Sequence, residues 1–138
     1  MLLGTILFPS SLVKTLLTIT AAVEAATGVA LAVAPGSVVL LLLGSPLESP
    51  AGQVISRVLA AALFSLGAAC WLARDEAQSR TAAGLIAAML LYNIAVVSLL
   101  VYARVGLGMS GIGFLPAVIL HAALSVWCVA CSRTRPRP

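Results

Sequence analysis

The chain has 138 residues, of which 62% are hydrophobic and only 9% charged, and its mean hydropathy is +1.15. A soluble domain carries about 25% charged and about 45–50% apolar residues, so eight Lys and Arg with four Asp and Glu cannot cover a globule of this size. The same balance excludes a disordered chain, and three Cys exclude a disulfide-stapled secreted scaffold. What remains is an all-α integral membrane protein.

A hydrocarbon core of about 30 Å needs about 20 apolar residues of helix. Four stretches meet that length, 11–34, 51–73, 80–105 and 110–131, and together they predict a single four-helix transmembrane domain. Because lipid-exposed backbone must satisfy its own hydrogen bonds and no alternating strands occur, these spans are read as helices. Taken in chain order, the Met1–Pro9 piece is short and apolar, and reads as a surface segment or an extension of the first span. A cleaved signal peptide is not expected, because Glu24 interrupts the apolar region and no basic segment precedes it. Ala34-Pro35-Gly36 closes the first span. Residues 38–43 are apolar but too short to cross, and read as an interfacial or re-entrant turn or a cap over the bundle. Ser45–Pro50 is a turn-rich loop, Arg74-Asp75-Glu76 separates the second and third spans, and four glycines between 106 and 113 loosen the link into the fourth.

Lys14, Arg74, Arg80, Arg133, Arg135 and Arg137 fall on one side of this topology, and Arg104 on the other. The positive-inside rule then puts both termini in the cytoplasm. The basic tail reads as a topology anchor, with contact to anionic lipid head groups as its functional counterpart. The net charge of +4 is accounted for by topology, so nucleic acid is not an expected partner. Seven Arg against one Lys, with abundant Ala, Leu, Val and Gly, point to a GC-rich bacterial source and hence a bacterial inner membrane.

Ionisable residues inside spans are costly and mark candidate sites. Here they are Glu24, Arg57 and His121, with Asn93 as an uncharged companion. Helical rise puts Glu24, Asn93 and His121 at about 15–16 Å from the outer ends of their spans, and Arg57 at about 8 Å. The faces around them are rich in small residues: Thr20, Ala21, Thr27 and Gly28 beside Glu24; Ala60, Ala61 and Ser65 beside Arg57; Ala117, Ser125 and Cys128 beside His121. Such faces pack against other helices in membranes, so the four polar residues are expected to meet inside the bundle, with Glu24 and Arg57 as an ion pair. Two readings stand side by side. One is a buried structural pair that sets helix register. The other is a site for a small molecule, a quinone or a proton.

Cys128-Val-Ala-Cys131 has CxxC spacing, and Cys70 is expected in the same leaflet, near the cytoplasmic ends of its span. This resembles the quinone-linked, disulfide-forming four-helix membrane oxidoreductases and the vitamin K epoxide reductases, which would imply a redox role for these thiols. The chain departs from that pattern, because it has no second Cys pair and its CxxC lies on the reducing side. Three thiols and one distant His do not compose a usual zinc site, and one His supplies at most one haem ligand. No catalytic residue is assigned, and no phosphate loop, metalloprotease helix or nucleophile elbow is present. Trp71, Trp127 and Tyr102 read as interface anchors. Glu24 and Asn93 lie about half the chain apart, a faint sign of a parallel repeat of two hairpins.

The run Ala32-Val33-Ala34-Pro35, the Arg-led second span Ser56-Arg57-Val58-Leu59-Ala60-Ala61-Ala62-Leu63 with Leu66-Gly67, and the short basic loop before two further spans resemble the small four-span bacterial proteins grouped with DoxX. That resemblance implies an accessory subunit, some members being associated with membrane redox complexes. The functional expectation is therefore an accessory or structural subunit, or assembly partner, of a membrane complex. Its partners would be lipid and either a homo-oligomer or a larger assembly, with quinone or lipid as the candidate bound molecule. A small transporter or channel built on Glu24, Arg57, Asn93 and His121 is the second expectation, and a thiol oxidoreductase using Cys128 and Cys131 with Cys70 the third.

Overall fold

A computed structural model describes residues 10–133. Within it the chain is all-helical: α1 (Ser10–Val33), α2 (Pro35–Leu43), α3 (Pro50–Ala73), α4 (Arg80–Leu107) and α5 (Phe114–Arg133). Helices α1, α3, α4 and α5 are each long and apolar enough to cross a membrane, so the fold is a helical membrane bundle. The expectations for Met1–Pro9, Arg135 and Arg137 lie outside the described residues.

The helix ends follow from local chemistry. Ser49 and Ser79 cap α3 and α4, their side chains accepting from the N–H of Gly52 and Ala82, each at 3.0 Å. Pro50 follows its cap at the first helical position, where a missing N–H costs nothing. Gly108 ends α4 at φ 67°, in the left-handed region, and the following N–H of Met109 returns to Ala103 O at 3.0 Å.

Residues 38–43 lie in a regular nine-residue helix, Pro35–Leu43, where a turn was one of the expectations. Only Ala34 separates it from α1, because Pro35 cannot continue the hydrogen-bond ladder of α1 but can begin a new helix. Its final carbonyls, which no helix satisfies internally, accept from the next loop: Gly111 N–H bonds Leu42 O at 3.1 Å and Gly113 N–H bonds Leu41 O at 2.9 Å. These bonds also delay the last span. α5 begins at Phe114 and not at 110, while α4 runs on to Leu107.

The bundle is built from two antiparallel pairs, α1 with α3 and α4 with α5, which meet each other more sparsely. The α1–α3 crossing is tight. A Cβ on Gly28 would stand 2.8 Å from Ala60 O, and one on Gly67 would stand 2.9 Å from Ala21 O. Glycine lets the two backbones touch, which is how helices associate where lipid is as apolar as side chains. The core divides into two clusters. One holds Leu16, Leu17, Ala21, Cys70, Ile86, Met89, Leu124, Cys128 and Cys131, among others. The smaller holds Leu31, Ala60 and Leu63 towards the α2 end.

At the end where α1 and α4 begin and α3 and α5 finish, Lys14 Nζ bonds Asp75 Oδ1 at 2.7 Å and Arg74 lies 3.4 Å from Asp75 Oδ2. The Arg74 guanidinium also stacks 3.6 Å over the Trp71 ring and bonds Trp71 O. Trp71 is half-exposed as an interface anchor should be, whereas Trp127 packs partly buried against the larger cluster. The hydrogen bond from Lys14, with the nearby positive charge of Arg74, holds the Asp75 carboxyl below its ordinary value.

Two predictions follow from this packing. Gly28→Ala and Gly67→Ala each force the helices apart and lose about 1–3 kcal/mol in detergent unfolding, whereas Gly84→Ala, where nothing lies within 4 Å, is neutral or stabilising by up to about 1 kcal/mol. Because the Asp75 value is depressed on folding, its contribution is complete above the ordinary carboxylate range and is lost as pH falls below it. Lys14→Met should flatten that acid limb of the stability–pH curve, and salt should weaken it in the unmodified protein.

Candidate functional site

The polar layer lies between the two apolar clusters, where α1 meets α4 and α5. On α1, the Thr20–Gly28 face turns inward as its small residues predict, with Thr20, Ala21, Glu24 and Gly28 all buried. Glu24 is only 1% exposed and stands about 14 Å from the end of α1. Its Oε1 has no hydrogen-bond partner among the described residues. The Tyr92 hydroxyl is the hydrogen-bonding neighbour of the same carboxyl group.

Asn93 is fully buried and makes two bonds. Its Nδ2 donates to Met89 O one turn back, at 2.7 Å. That leaves Oδ1 as an acceptor, and Oδ1 lies 2.6 Å from His121 Nδ1 on α5. With Oδ1 able only to accept, His121 Nδ1 is the donor in this bond. The ring of Tyr92 meets the His121 ring edge-on, with centroids 5.8 Å apart and planes at 77°. Tyr92 thus touches Glu24 on one side and His121 on the other. His121 itself is half-buried and lies about 11 Å from the start of α5. It is shallower than the sequence predicts, because α5 begins late.

The structure brings together three of the four expected residues, Glu24, Asn93 and His121. It does not bring in Arg57. The expected Glu24–Arg57 ion pair is absent among the described residues. Arg57 is exposed, and its Nη1 donates to Gln53 O at 3.4 Å and Gln53 Oε1 at 3.2 Å. Arg57 lies about 11 Å from the start of α3, so its long stem can turn back toward the interface and avoid burying a guanidinium. Its neighbour Ser65 is also exposed and bonds only Ala61 O, at 2.8 Å. Tyr92 occupies the place assigned to Arg57. A polar-tipped aromatic next to Asn93, near the middle of its span, was the available signal.

The thiols lie near this centre. Cys70, Cys128 and Cys131 are buried, form no disulfide among the described residues, and belong to one core cluster. Cys70 is within electrostatic range of both Glu24 and Cys128. Among the described residues no three His, Cys, Asp or Glu side chains gather as a metal site. Two open cavities, each about 620–630 Å³, lie elsewhere. One runs between α2 and residues 110–112; the other runs along the Ala25–Val38 side of α1 and reaches α2.

The chain matches no family model, no curated protein and no solved structure at a significant level.

If the Asn93–His121 bond fixes α4 to α5, Asn93→Ala should lower stability in detergent by about 1–2 kcal/mol. Arg57→Gln, on the exposed side, should change it by less than about 0.5 kcal/mol.

Proposed function

We propose that this is a small carrier of the bacterial inner membrane, with both termini cytoplasmic, whose working centre is Glu24, Tyr92, Asn93 and His121. A single observation supports this reading. The carboxyl group of Glu24 is buried at membrane depth, with one oxygen unpartnered among the described residues. Burying a polar group without compensation costs several kcal/mol, and intramembrane carboxyls of this kind mark ion or substrate paths. A purely structural Glu24 would be expected to close its hydrogen bonds on a cation or on fixed donors, and Arg57, the arginine expected to pair with it, is exposed and bonded to Gln53. The orientation rests on the basic residues gathered at one end of the bundle.

A second reading is an accessory subunit of a larger membrane complex, the role that the resemblance to DoxX proteins implies. It is favoured by α5, whose span is the least covered by the rest of the chain although it carries His121. Under that reading a neighbouring subunit or a second copy covers the half-buried His121.

The two readings separate experimentally. In liposomes holding a pH-sensitive dye under an imposed pH gradient, the carrier reading expects flux that falls to background in Glu24→Gln and His121→Ala and persists in Arg57→Gln. Circular dichroism should show all three variants still helical. Absence of flux in the unmodified protein, together with stable co-purification of a larger assembly in mild detergent, would overturn the carrier in favour of the subunit.

A further inference from the structure

We infer that the species bound at this centre is a proton, taken up and released at Glu24 Oε1. This deepens the reading of Glu24 as the working group, but it concerns binding and does not depend on flux.

Three observations narrow the ligand. The first is space. Oε1 is enclosed by protein, and the lining of neither open cavity includes Glu24, Tyr92, Asn93 or His121. An organic molecule has no room beside that oxygen. The second is the donor set. A hard metal ion takes six or more oxygen ligands. Here Asn93 Oδ1 is already committed to His121, and no cluster of three metal-ligating side chains forms among the described residues. The third is charge. The groups that act on Glu24 are Tyr92 from α4 and Cys70 from α3; on α5, His121 meets Tyr92 and Cys128 lies within electrostatic range of Cys70. Helix α2 carries no titratable residue. No Lys or Arg makes an ion pair with Glu24 among the described residues, so an anionic ligand would meet the carboxyl group with no cation to balance it.

A proton meets all three conditions. It needs no cavity, no ligand shell and no fixed countercharge. On uptake, a proton from water adds to Oε1 and forms an O–H bond, leaving the carboxyl neutral. On release, the same O–H bond breaks, the proton returns to water, and the negative charge is left on the carboxylate, with the Tyr92 hydroxyl donating to it. Tyr92 is a positioning residue here, because it holds the carboxyl group and does not exchange the proton itself. Asn93 and His121 fix the face of α4 from which Tyr92 reaches.

Infrared difference spectroscopy of the full chain in lipid tests this, with pH as the only variable. As pH is lowered, a protonated-carboxyl band should appear that shifts in heavy water. Glu48, Asp75 and Glu76 carry carboxyl groups too, so the Glu24 component is read by subtracting the Glu24→Gln spectrum; that difference should be present in the unmodified protein and unchanged in Arg57→Gln. Tyr92→Phe should keep the band but move its frequency, since the carboxyl loses its hydrogen-bonding neighbour. Glu24→Asp, which keeps a carboxyl group at the position, guards against misfolding of the Gln variant and should restore a displaced band. Identical pH-difference spectra for the unmodified protein and folded Glu24→Gln would overturn the proposal. A band with the expected behaviour in a protein that shows no flux supports proton binding at Glu24 while refuting the carrier reading.

Discussion

The close contact of α1 with α3 is the constraint on which the rest of the bundle depends. Gly28 and Gly67 remove the side chains that would hold these backbones apart, and each sits against backbone atoms of the other helix. Contact this close fixes the rotation of α1 about its own axis. Glu24 lies one turn before Gly28 on the same face, so its carboxyl group is turned inward with the glycine. The polar group cannot swing to an interface, because it is held at mid-depth by helices too close to rotate.

The consequence is a core interrupted by a polar layer. The larger apolar cluster lies toward the start of α1 and the smaller toward α2, with Glu24, Tyr92, Asn93 and His121 between them. The layer lies where the two antiparallel helix pairs meet. Each pair has its own lock: glycine packing for α1 and α3, the Asn93–His121 hydrogen bond for α4 and α5. Tyr92 links the pairs, touching the carboxyl group of one and the imidazole of the other. The buried thiols extend the larger cluster as small apolar side chains, which is how free Cys packs in interiors.

The two ends of the bundle are closed by different chemistry. At one end, charged side chains at the water boundary pair Lys14 with Asp75 and stack Arg74 on Trp71. At the other, backbone groups join α2 to the α4–α5 loop. Here close approach decides the residue types. A Cβ on Gly111 would overlap Leu41 O, and Gly44 ends α2 at φ 69°. The same hydrogen bonds that close this end supply partners for carbonyls that α2 would otherwise leave bare.

Membrane class, the number of long apolar helices and their approximate limits are local properties. Composition and helical rise determine them, and Ser10–Val33, Pro50–Ala73 and the start of α4 fall within a residue or two of what the sequence predicts. The inward face around Glu24 was legible for the same reason, since Thr20, Ala21 and Gly28 recur at helical spacing. Three matters were not legible. That residues 35–43 form a helix depends on hydrogen bonds from a loop about 70 residues later in the chain. The exclusion of Arg57 depends on its distance from the interface and the reach of its side chain, against which matching charge with Glu24 counts for little. The choice of Tyr92 as the neighbour of Glu24 depends on how α4 is rotated toward α1. Sequence periodicity reports which residues share a face of one helix. Which faces meet is decided only when the helices pack, because the close approach of glycines and the cost of burying a guanidinium arise between helices and not within them.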